Sequence, residues 1–316
     1  MSSSLSTVVH DLTANIGAVV RGKDEQIRLA VCCLLTDGHL LLDDVPGTGK
    51  TSLAKAIAGS ISGRWKRVQF TPDLLPSDIT GVMVYDQRSG TFRFREGPVF
   101  TNVLIGDEIN RGSPKTQSAL LEVMEERQVT VDAVSRSVPH PFFVIATQNP
   151  RDSQGTFPLP DVQLDRFAMR ITLGYTDPVT EVSVLETFDR HRREEPIKAV
   201  TDTTELDRLI EEVERVEVAH GVHDYIVRLA GATRAHPELR LGVSTRGTLS
   251  LLRICKAYAA TEDRFYVTPD DVKAVVGTVF AHRMAASPEA ELRGVRVESV
   301  LADIVDETAV PRTAEG

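Results

Sequence analysis

The stretch that decides the fold is Asp43-Asp44-Val45-Pro46-Gly47-Thr48-Gly49-Lys50-Thr51. It follows an apolar run at 40–43 that predicts a buried strand, and it opens a segment with helical content at 51–60. A glycine-rich loop between a strand and a helix presents backbone N–H groups that wrap phosphates. Lys50 is then expected to neutralise the outer phosphates and the Thr51 hydroxyl to ligate Mg²⁺. The loop therefore predicts a nucleotide site on an α/β fold.

The loop departs from the strict phosphate-loop pattern at Asp44, where that pattern has glycine. The departure is mild, because the glycines nearest the phosphates, Gly47 and Gly49, are both present. The residues expected to contact the nucleotide are Pro46, Gly47, Thr48, Gly49, Lys50, Thr51 and Ser52.

Around this loop, the first half of the chain alternates short apolar runs with helical patterns. The apolar runs predict buried strands at 40–43, 68–70, 103–107, 142–147 and 169–173, and the segments 51–60 and 115–126 have helical content and spacing. Such alternation implies a parallel sheet with helices on both faces. Residues 1–176 are therefore predicted to form an α/β nucleotide-binding domain.

After Asp177 the pattern changes, because apolar residues recur at helical spacing and strand-like runs almost disappear. One apolar stripe, opposite a face of Asp and Glu, consists of Leu206, Leu209, Ile210, Val213 and Val216. Thr268 precedes Pro269 and two aspartates, which is typical of a helix start with Thr268 as the cap. Residues 177–316 are therefore predicted to form a helical second domain.

Two carboxylates stand at the C-terminal end of the apolar run at 103–107, where open α/β sheets bind ligands. Asp107 is expected to hold Mg²⁺ through water, and Glu108 to polarise the attacking water. An apolar run that ends in Asp-Glu is by itself a weak signal and is often only a strand that meets a solvated loop. The phosphate loop upstream strengthens the interpretation of Asp107 and Glu108, because phosphoryl transfer needs a metal, a base and a phosphate cradle together.

Three further polar side chains are candidates for the same reaction. Asn149 follows the run at 142–147 and is expected to orient the water beside Glu108, although an Asn-Pro pair after a strand is also a common turn. Arg166 and Arg246 are candidates to meet the charge that develops on the γ-phosphate. On position alone, a surface salt bridge is the favoured interpretation for either arginine.

Taken together, these motifs resemble the MoxR group of AAA+ ATPases. The matching segments are VPGTGKT at 45–51, QFTPDLLPSDITG at 69–81, GDEINR at 106–111, QSALLEVMEER at 117–127, ATQNP at 146–150 and LDRF at 164–167. Many members of this group have aspartate at the first loop position, so Asp44 does not weaken the match. The roles implied by the resemblance are Walker A for Lys50 and Thr51, Walker B for Asp107 and Glu108, sensor 1 for Asn149, the arginine finger for Arg166 and sensor 2 for Arg246.

The resemblance also implies an architecture and partners. It predicts an α/β core, a C-terminal all-helical lid that carries sensor 2, a β-hairpin at 82–94 inserted into the second core helix, and another hairpin at 129–138 before sensor 1. In related motors such hairpins face the centre of a ring, which implies contact with a client. Family members use ATP and Mg²⁺, are usually hexameric rings, and often act with a separate protein bearing a von Willebrand factor A domain to mature or remodel client complexes.

Composition narrows the class of partner and the location. The 316 residues include 36 Lys and Arg against 45 Asp and Glu, a net charge of −9, which repels a nucleic-acid backbone unless the basic residues cluster on one face. No apolar stretch approaches the roughly 20 residues needed to span a membrane. The first residues lack the positive start and apolar block of a secretory signal, which favours a cytoplasmic location.

Two alternatives to ATP-driven, chaperone-like remodelling remain open. One is a metal-chelatase-like subunit or a nucleic-acid translocase of the same clade, and the acidic balance argues against the translocase. The other is a nucleotide-gated scaffold without significant turnover. The Asp107-Glu108 pair and both arginines argue against a scaffold, because a pure binder needs no activated water.

Overall fold

The computed structural model describes residues 5–149, 155–190 and 197–311, so Pro150 and residues 312–316 lie outside the described part of the chain. Its α-helices are α1 (Leu5–Val19), α2 (Asp24–Leu34), α3 (Lys50–Gly59), α4 (Pro76–Thr80), α5 (Pro114–Glu126), α6 (Asp161–Leu164), α7 (Pro178–Arg190), α8 (Thr203–Glu214), α9 (His220–Ala235), α10 (Thr245–Thr261), α11 (Pro269–Phe280), α12 (Pro288–Leu292) and α13 (Val297–Glu307). Its strands are β1 (Leu40–Asp43), β2 (Ile61–Ser62), β3 (Trp65–Gln69), β4 (Gly81–Asp86), β5 (Thr91–Glu96), β6 (Val103–Asp107), β7 (Gln128–Val131), β8 (Val134–Ser137), β9 (Phe143–Gln148), β10 (Met169–Ile171), β11 (Thr201–Asp202), β12 (Leu239–Leu241) and β13 (Ala285–Ala286).

Five strands form one parallel sheet in the order β10-β1-β9-β6-β3. Each of them overlaps a strand predicted from an apolar run, so the parallel α/β fold is confirmed. The largest difference is in β3, which begins at Trp65, earlier than the predicted segment 68–70. This strand lies at the edge of the sheet, and Trp65, Lys66 and Arg67 are exposed. An exposed edge strand has no continuous apolar run to reveal its start.

The side chains of β1 alternate between two hydrophobic clusters, one on each face of the sheet. Leu40 and Leu42 belong to a cluster that also contains residues of α1, α2, α3, α10 and α11. Leu41 belongs to a second cluster, which contains residues of α5. Burial on both faces explains why the inner strands are continuous apolar runs. The phosphate loop thus starts at the C-terminal edge of a sheet that is covered on both sides.

Two β-hairpins project from this core, β4–β5 and β7–β8, and they confirm the predicted hairpins at 82–94 and 129–138. The first follows α4, which has only five residues, and the described chain between β5 and β6 contains no helix. The expected second core helix is therefore reduced to about one turn before the hairpin. The guanidinium of Arg136 in β8 lies 4.1 Å from the ring centre of Phe94 in β5, so the two hairpins contact each other.

After residue 177 the described chain is mainly helical. Helix α8 buries the predicted stripe from Leu206 to Val213. Thr268 caps α11 as predicted: its hydroxyl accepts the N–H of Asp271, whose carboxylate accepts the N–H of Thr268. The hydrophobic cluster around α1 and α2 continues into α10 and α11, and the domain boundary at 177 stays a prediction. Among the described helices, none combines the length and the apolar character needed to cross a bilayer.

Candidate nucleotide site

The phosphate loop connects the C-terminal end of β1 to the N-terminus of α3. Gly47 and Gly49 have φ angles of 86° and 90°, and no neighbouring atom stands where a Cβ would point. Backbone in this left-handed region favours glycine, which explains both positions. Thr48 is buried, and its hydroxyl donates to the carbonyl of Val45 at 3.1 Å. The Thr48 side chain therefore braces the loop from inside.

Asp44 connects the start of this loop to the segment after β10. Its Oδ1 accepts the N–H of Val45 at 2.7 Å, and its Oδ2 accepts the N–H groups of Leu173 at 2.9 Å and Gly174 at 2.6 Å. The residue is buried, so these hydrogen bonds satisfy a carboxylate that would otherwise be costly to bury. The aspartate that departs from the strict motif thus has a structural role, which the motif itself does not predict.

Lys50 is the first residue of α3, and its ammonium group points back into the loop. Its Nζ donates to the carbonyls of Asp44 at 2.5 Å and Val45 at 2.8 Å, and to Oδ1 of Asn149 at 2.8 Å. Burial lowers the pKa of Lys50, because a charged group loses hydration in the interior. Two residues predicted from separate motifs, Lys50 and Asn149, therefore lie in direct contact.

Asp107 ends β6 and is almost fully buried. Its Oδ1 accepts the hydroxyls of Thr51 and Thr147, each at 3.2 Å, and its Oδ2 pairs with Nε of Arg67 at 2.5 Å. Hydroxyl and carboxylate oxygens are the ligands that Mg²⁺ prefers in proteins, and Thr51 and Asp107 place both next to the phosphate loop. The donor set therefore fits the magnesium ion predicted from the sequence.

Glu108 is held from several sides at the end of the same strand. Its carboxylate accepts hydrogen bonds from the amides of Gln69 at 2.9 Å and Asn149 at 3.3 Å, and Nε of Arg111 lies 3.1 Å from it. Its backbone has a φ of 54°, and its N–H donates to the hydroxyl of Thr147 at 3.0 Å. Non-glycine residues with positive φ are uncommon and often lie at functional sites.

These groups surround an open cleft of about 400 Å³. The cleft is lined by Pro46, Gly47, Gly49, Lys50, Thr51, Ser52, Arg67, Gln69, Asp107, Glu108, Thr147 and Asn149. It combines a helix N-terminus and a lysine, which suit phosphates, with two carboxylates that suit a cation and a water. Arg67, Gln69 and Thr147 were not predicted as site residues. Gln69 and Thr147 lie in the matching segments 69–81 and 146–150, but nothing in those segments assigned them a role in the cleft.

The two candidate arginines lie together, outside the residues that line this cleft. Nε of Arg166 lies 3.0 Å from Oε2 of Glu125, and Nη2 of Arg246 contacts Oε1 of the same carboxylate. Both arginines therefore form a salt bridge, which is the interpretation that position alone favoured for each. That both share one carboxylate was not predicted, because Glu125 and Arg246 are 121 positions apart in the chain.

A buried arginine, Arg283, fixes the loop that carries Arg166. Its guanidinium donates to the carboxylate of Asp165 at 2.8 Å and to the carbonyls of Phe167 at 2.6 Å and Ala168 at 3.2 Å. Burial lowers the pKa of Arg283, and the carboxylate of Asp165 opposes that shift. The loop with Arg166 is thus attached to the C-terminal helical region through Arg283.

Comparisons with known proteins agree with this geometry. Residues 39–169 match the family described as ATPase family associated with various cellular activities (AAA), and residues 231–304 match the AAA lid domain. YeaC of Bacillus subtilis, described as uncharacterized, is 43% identical over 94% of this chain and 93% of its own length. The chaperone MoxR1 of Mycobacterium tuberculosis is 36% identical over 98% of this chain and 85% of its own. A crystal structure of a Cytophaga hutchinsonii protein, described as a candidate ATPase, has a TM-score of 0.90 at 34% identity and covers 98% of this chain and 96% of that chain.

Proposed function

The chain belongs to the MoxR family of AAA+ ATPases, and from this premise we propose that it hydrolyses ATP to ADP and phosphate in a Mg²⁺-dependent reaction that drives chaperone-like remodelling of client proteins. The observation that supports hydrolysis most directly is the position of Glu108. Its carboxylate lies at the phosphate-loop cleft and is shared by the amides of Gln69 and Asn149. A protein that only binds nucleotide has no need for a carboxylate aligned in this way.

In the proposed mechanism the loop N–H groups and Lys50 hold the phosphates, and Thr51 and Asp107 hold the metal. When bound there, Mg²⁺ would supply positive charge that offsets the negative charge of the phosphates. Glu108 accepts the proton of the attacking water, and Asn149 orients that water. Because Asn149 contacts both Lys50 and Glu108, one side chain couples the phosphate cradle to the general base. Water adds to the γ-phosphorus as the bond to the bridging oxygen of ADP breaks, which gives ADP and inorganic phosphate.

We further propose that Arg166 and Arg246 act on the nucleotide of a neighbouring subunit. Neither arginine lines the cleft of its own chain, and both guanidinium groups are partly exposed. Head-to-tail contact between a cleft and the arginines of the next copy closes into a ring, and a hexamer is the expected size. Such a ring would work in the cytoplasm, where ATP is supplied, and nucleic acid is not an expected partner.

The first hairpin supports a role in client contact. Tyr85 and Phe92 pair near its tip with ring centres 5.2 Å apart, and they are 53% and 66% exposed. Exposed aromatic pairs are suited to bind polypeptide segments. A separate protein with a von Willebrand factor A domain is the proposed partner that delivers or selects the client.

Glu108→Gln tests the proposed hydrolysis. Calorimetric titration with ATP should give an affinity close to that of the parent, because the amide keeps the shape of the side chain, while phosphate release should fall strongly. Equal phosphate release by the variant and the parent would contradict the role of Glu108. If the parent binds ATP but releases no phosphate at any concentration, the chain is a nucleotide-gated scaffold.

The same variant tests client remodelling. With ATP, Glu108→Gln should retain client proteins that the active enzyme releases, and Lys50→Ala, which cannot hold the phosphates, should retain none. A Tyr85→Ser, Phe92→Ser double variant should lose the captured client without loss of ATP hydrolysis. If the hairpin variant captures the same proteins, the client binds elsewhere.

A further inference from the structure

Glu125 stands between two arginines that come from distant parts of the chain. It lies in the last turn of α5, and each of its carboxylate oxygens contacts a different guanidinium. Arg166 comes from the loop after α6, whereas Arg246 comes from the first turn of α10. Within the described residues, the N–H at Nε of Arg166 makes no hydrogen bond, so its contact with Glu125 is electrostatic.

A second set of contacts fixes the same two segments to each other. The carboxylate of Asp165, next to Arg166, accepts the hydroxyl of Ser244 at 2.9 Å, and Ser244 caps α10 two residues before Arg246. The other carboxylate oxygen of Asp165 accepts a hydrogen bond from Nε of the buried Arg283 at 2.8 Å. The backbones that carry Arg166 and Arg246 therefore have a fixed separation, and only their long side chains remain to be oriented.

Two guanidinium groups held this close repel each other, and arginine side chains lose considerable entropy when they are fixed. A carboxylate between them offsets the repulsion and limits both side chains to one region. Each guanidinium has five N–H donors in total, so contact through one nitrogen leaves others available for a phosphate. Arg166 also lines a surface cleft of about 610 Å³, so this region is accessible to another molecule.

We propose that Glu125 is a positioning residue, which holds Arg166 and Arg246 side by side so that both reach the phosphates of one nucleotide in the neighbouring subunit. This inference rests on the proposed function, because it requires that the arginines act on ATP. In this proposal Glu125 contacts neither the nucleotide nor the attacking water. It acts only through the two arginines.

Loss of Glu125 should lower kcat and leave KM for ATP almost unchanged. The subunit's own cradle, with Lys50 and Thr51, does not include Glu125, so binding is preserved. Misplacement of a catalytic group by about 1 Å costs on the order of 10²-fold in rate, and we expect a fall of that size in Glu125→Gln. Glu211→Gln in α8 is the matched control, because it also removes an exposed carboxylate that pairs with an arginine, Arg215, at 3.7 Å.

A mixing experiment locates the defect. Glu125→Gln subunits keep a good Glu108, and Glu108→Gln subunits keep a good arginine pair. Mixtures of the two variants should regain activity, because some interfaces then combine one intact copy of each. Mixtures of Arg166→Ala with Glu108→Gln subunits serve as the reference. If the reference mixture is active while the Glu125→Gln mixture, shown to co-assemble, stays inactive, the inference on Glu125 fails and the proposed function stands. If the reference mixture is also inactive, the proposed action between subunits fails.

A double-mutant cycle gives an independent result in case Glu125→Gln also loosens the fold. If Glu125 acts through the arginines, adding Glu125→Gln to Arg166→Ala, Arg246→Ala should lower kcat by less than about threefold. A further fall as large as in the parent would show that Glu125 supports activity by another route, and would overturn the inference.

Discussion

Replacing Asp44 with glycine restores the strict phosphate-loop pattern, yet the structure predicts that it destabilises the protein. The carboxylate of Asp44 accepts N–H groups from Val45, Leu173 and Gly174, and glycine removes all three hydrogen bonds. The N–H of Leu173 belongs to a buried residue, whereas Gly174 is half-buried, so water can replace only part of the loss. Hydrogen bonds to charged groups contribute about 1.5–3 kcal/mol each. We therefore expect Asp44→Gly to lower the free energy of unfolding by about 2–4 kcal/mol.

Urea unfolding followed by circular dichroism measures this change, with the slope of the transition compared between variants. Asp44→Asn is the matched control, because its amide oxygen can still accept the N–H groups of Leu173 and Gly174, and it should lose less stability than Asp44→Gly. If Asp44→Gly unfolds within about 0.5 kcal/mol of the parent, the tertiary hydrogen bonds of Asp44 contribute little and the reasoning is wrong.

Three further variants test the site. Lys50→Ala should abolish ATP binding in a calorimetric titration, because Lys50 is the cation at the centre of the phosphate loop; binding near the parental level would remove it from the cradle. Asn149→Ala should lower kcat with little loss of affinity, since a group that orients water acts mainly in the transition state; a large loss of affinity with unchanged turnover would instead indicate a structural turn. Arg166→Ala should lower turnover by roughly 10³-fold at normal ATP affinity. The specific activity of the parent should rise with protein concentration until rings are complete. Specific activity that is independent of concentration would exclude a site shared between subunits.

The fold was largely predictable, because the inner strands that carry the candidate nucleotide site are buried on both faces. Runs such as 40–43 and 103–107 are apolar without interruption, and they appear as β1 and β6 with those bounds. The edge strand β3 was located only at its end, since Trp65, Lys66 and Arg67 are exposed and do not form an apolar run. The short length of α4, before the first hairpin, was likewise not predicted, because no local sequence pattern indicates it.

Within the site, the groups recognised from sequence are those that would handle phosphate, metal and water. Lys50, Asp107 and Glu108 stand in short motifs whose spacing follows from one strand and one loop. The roles of Arg67 and Gln69 were not predicted. Alternation along β3 directs both side chains toward the end of β6, where they contact Asp107 and Glu108. Their roles depend on which strand lies beside β6, and no short segment of the sequence predicts that order of strands.

The positioning groups differ from the recognisable ones in a physical respect. A general base must be a group that can accept a proton from a water beside it, so its chemistry limits which residue can serve and where. Arg283 and Glu125, in contrast, act by filling the hydrogen-bonding or charge requirement of another group, and their partners lie far along the chain. Arg283 is nearly fully buried, and contacts with Asp165 and several backbone carbonyls of the same loop offset much of its cost of desolvation. That requirement attaches the loop to the C-terminal helices, so a residue more than a hundred positions away fixes the backbone beside Arg166, while Glu125 contacts the Arg166 side chain.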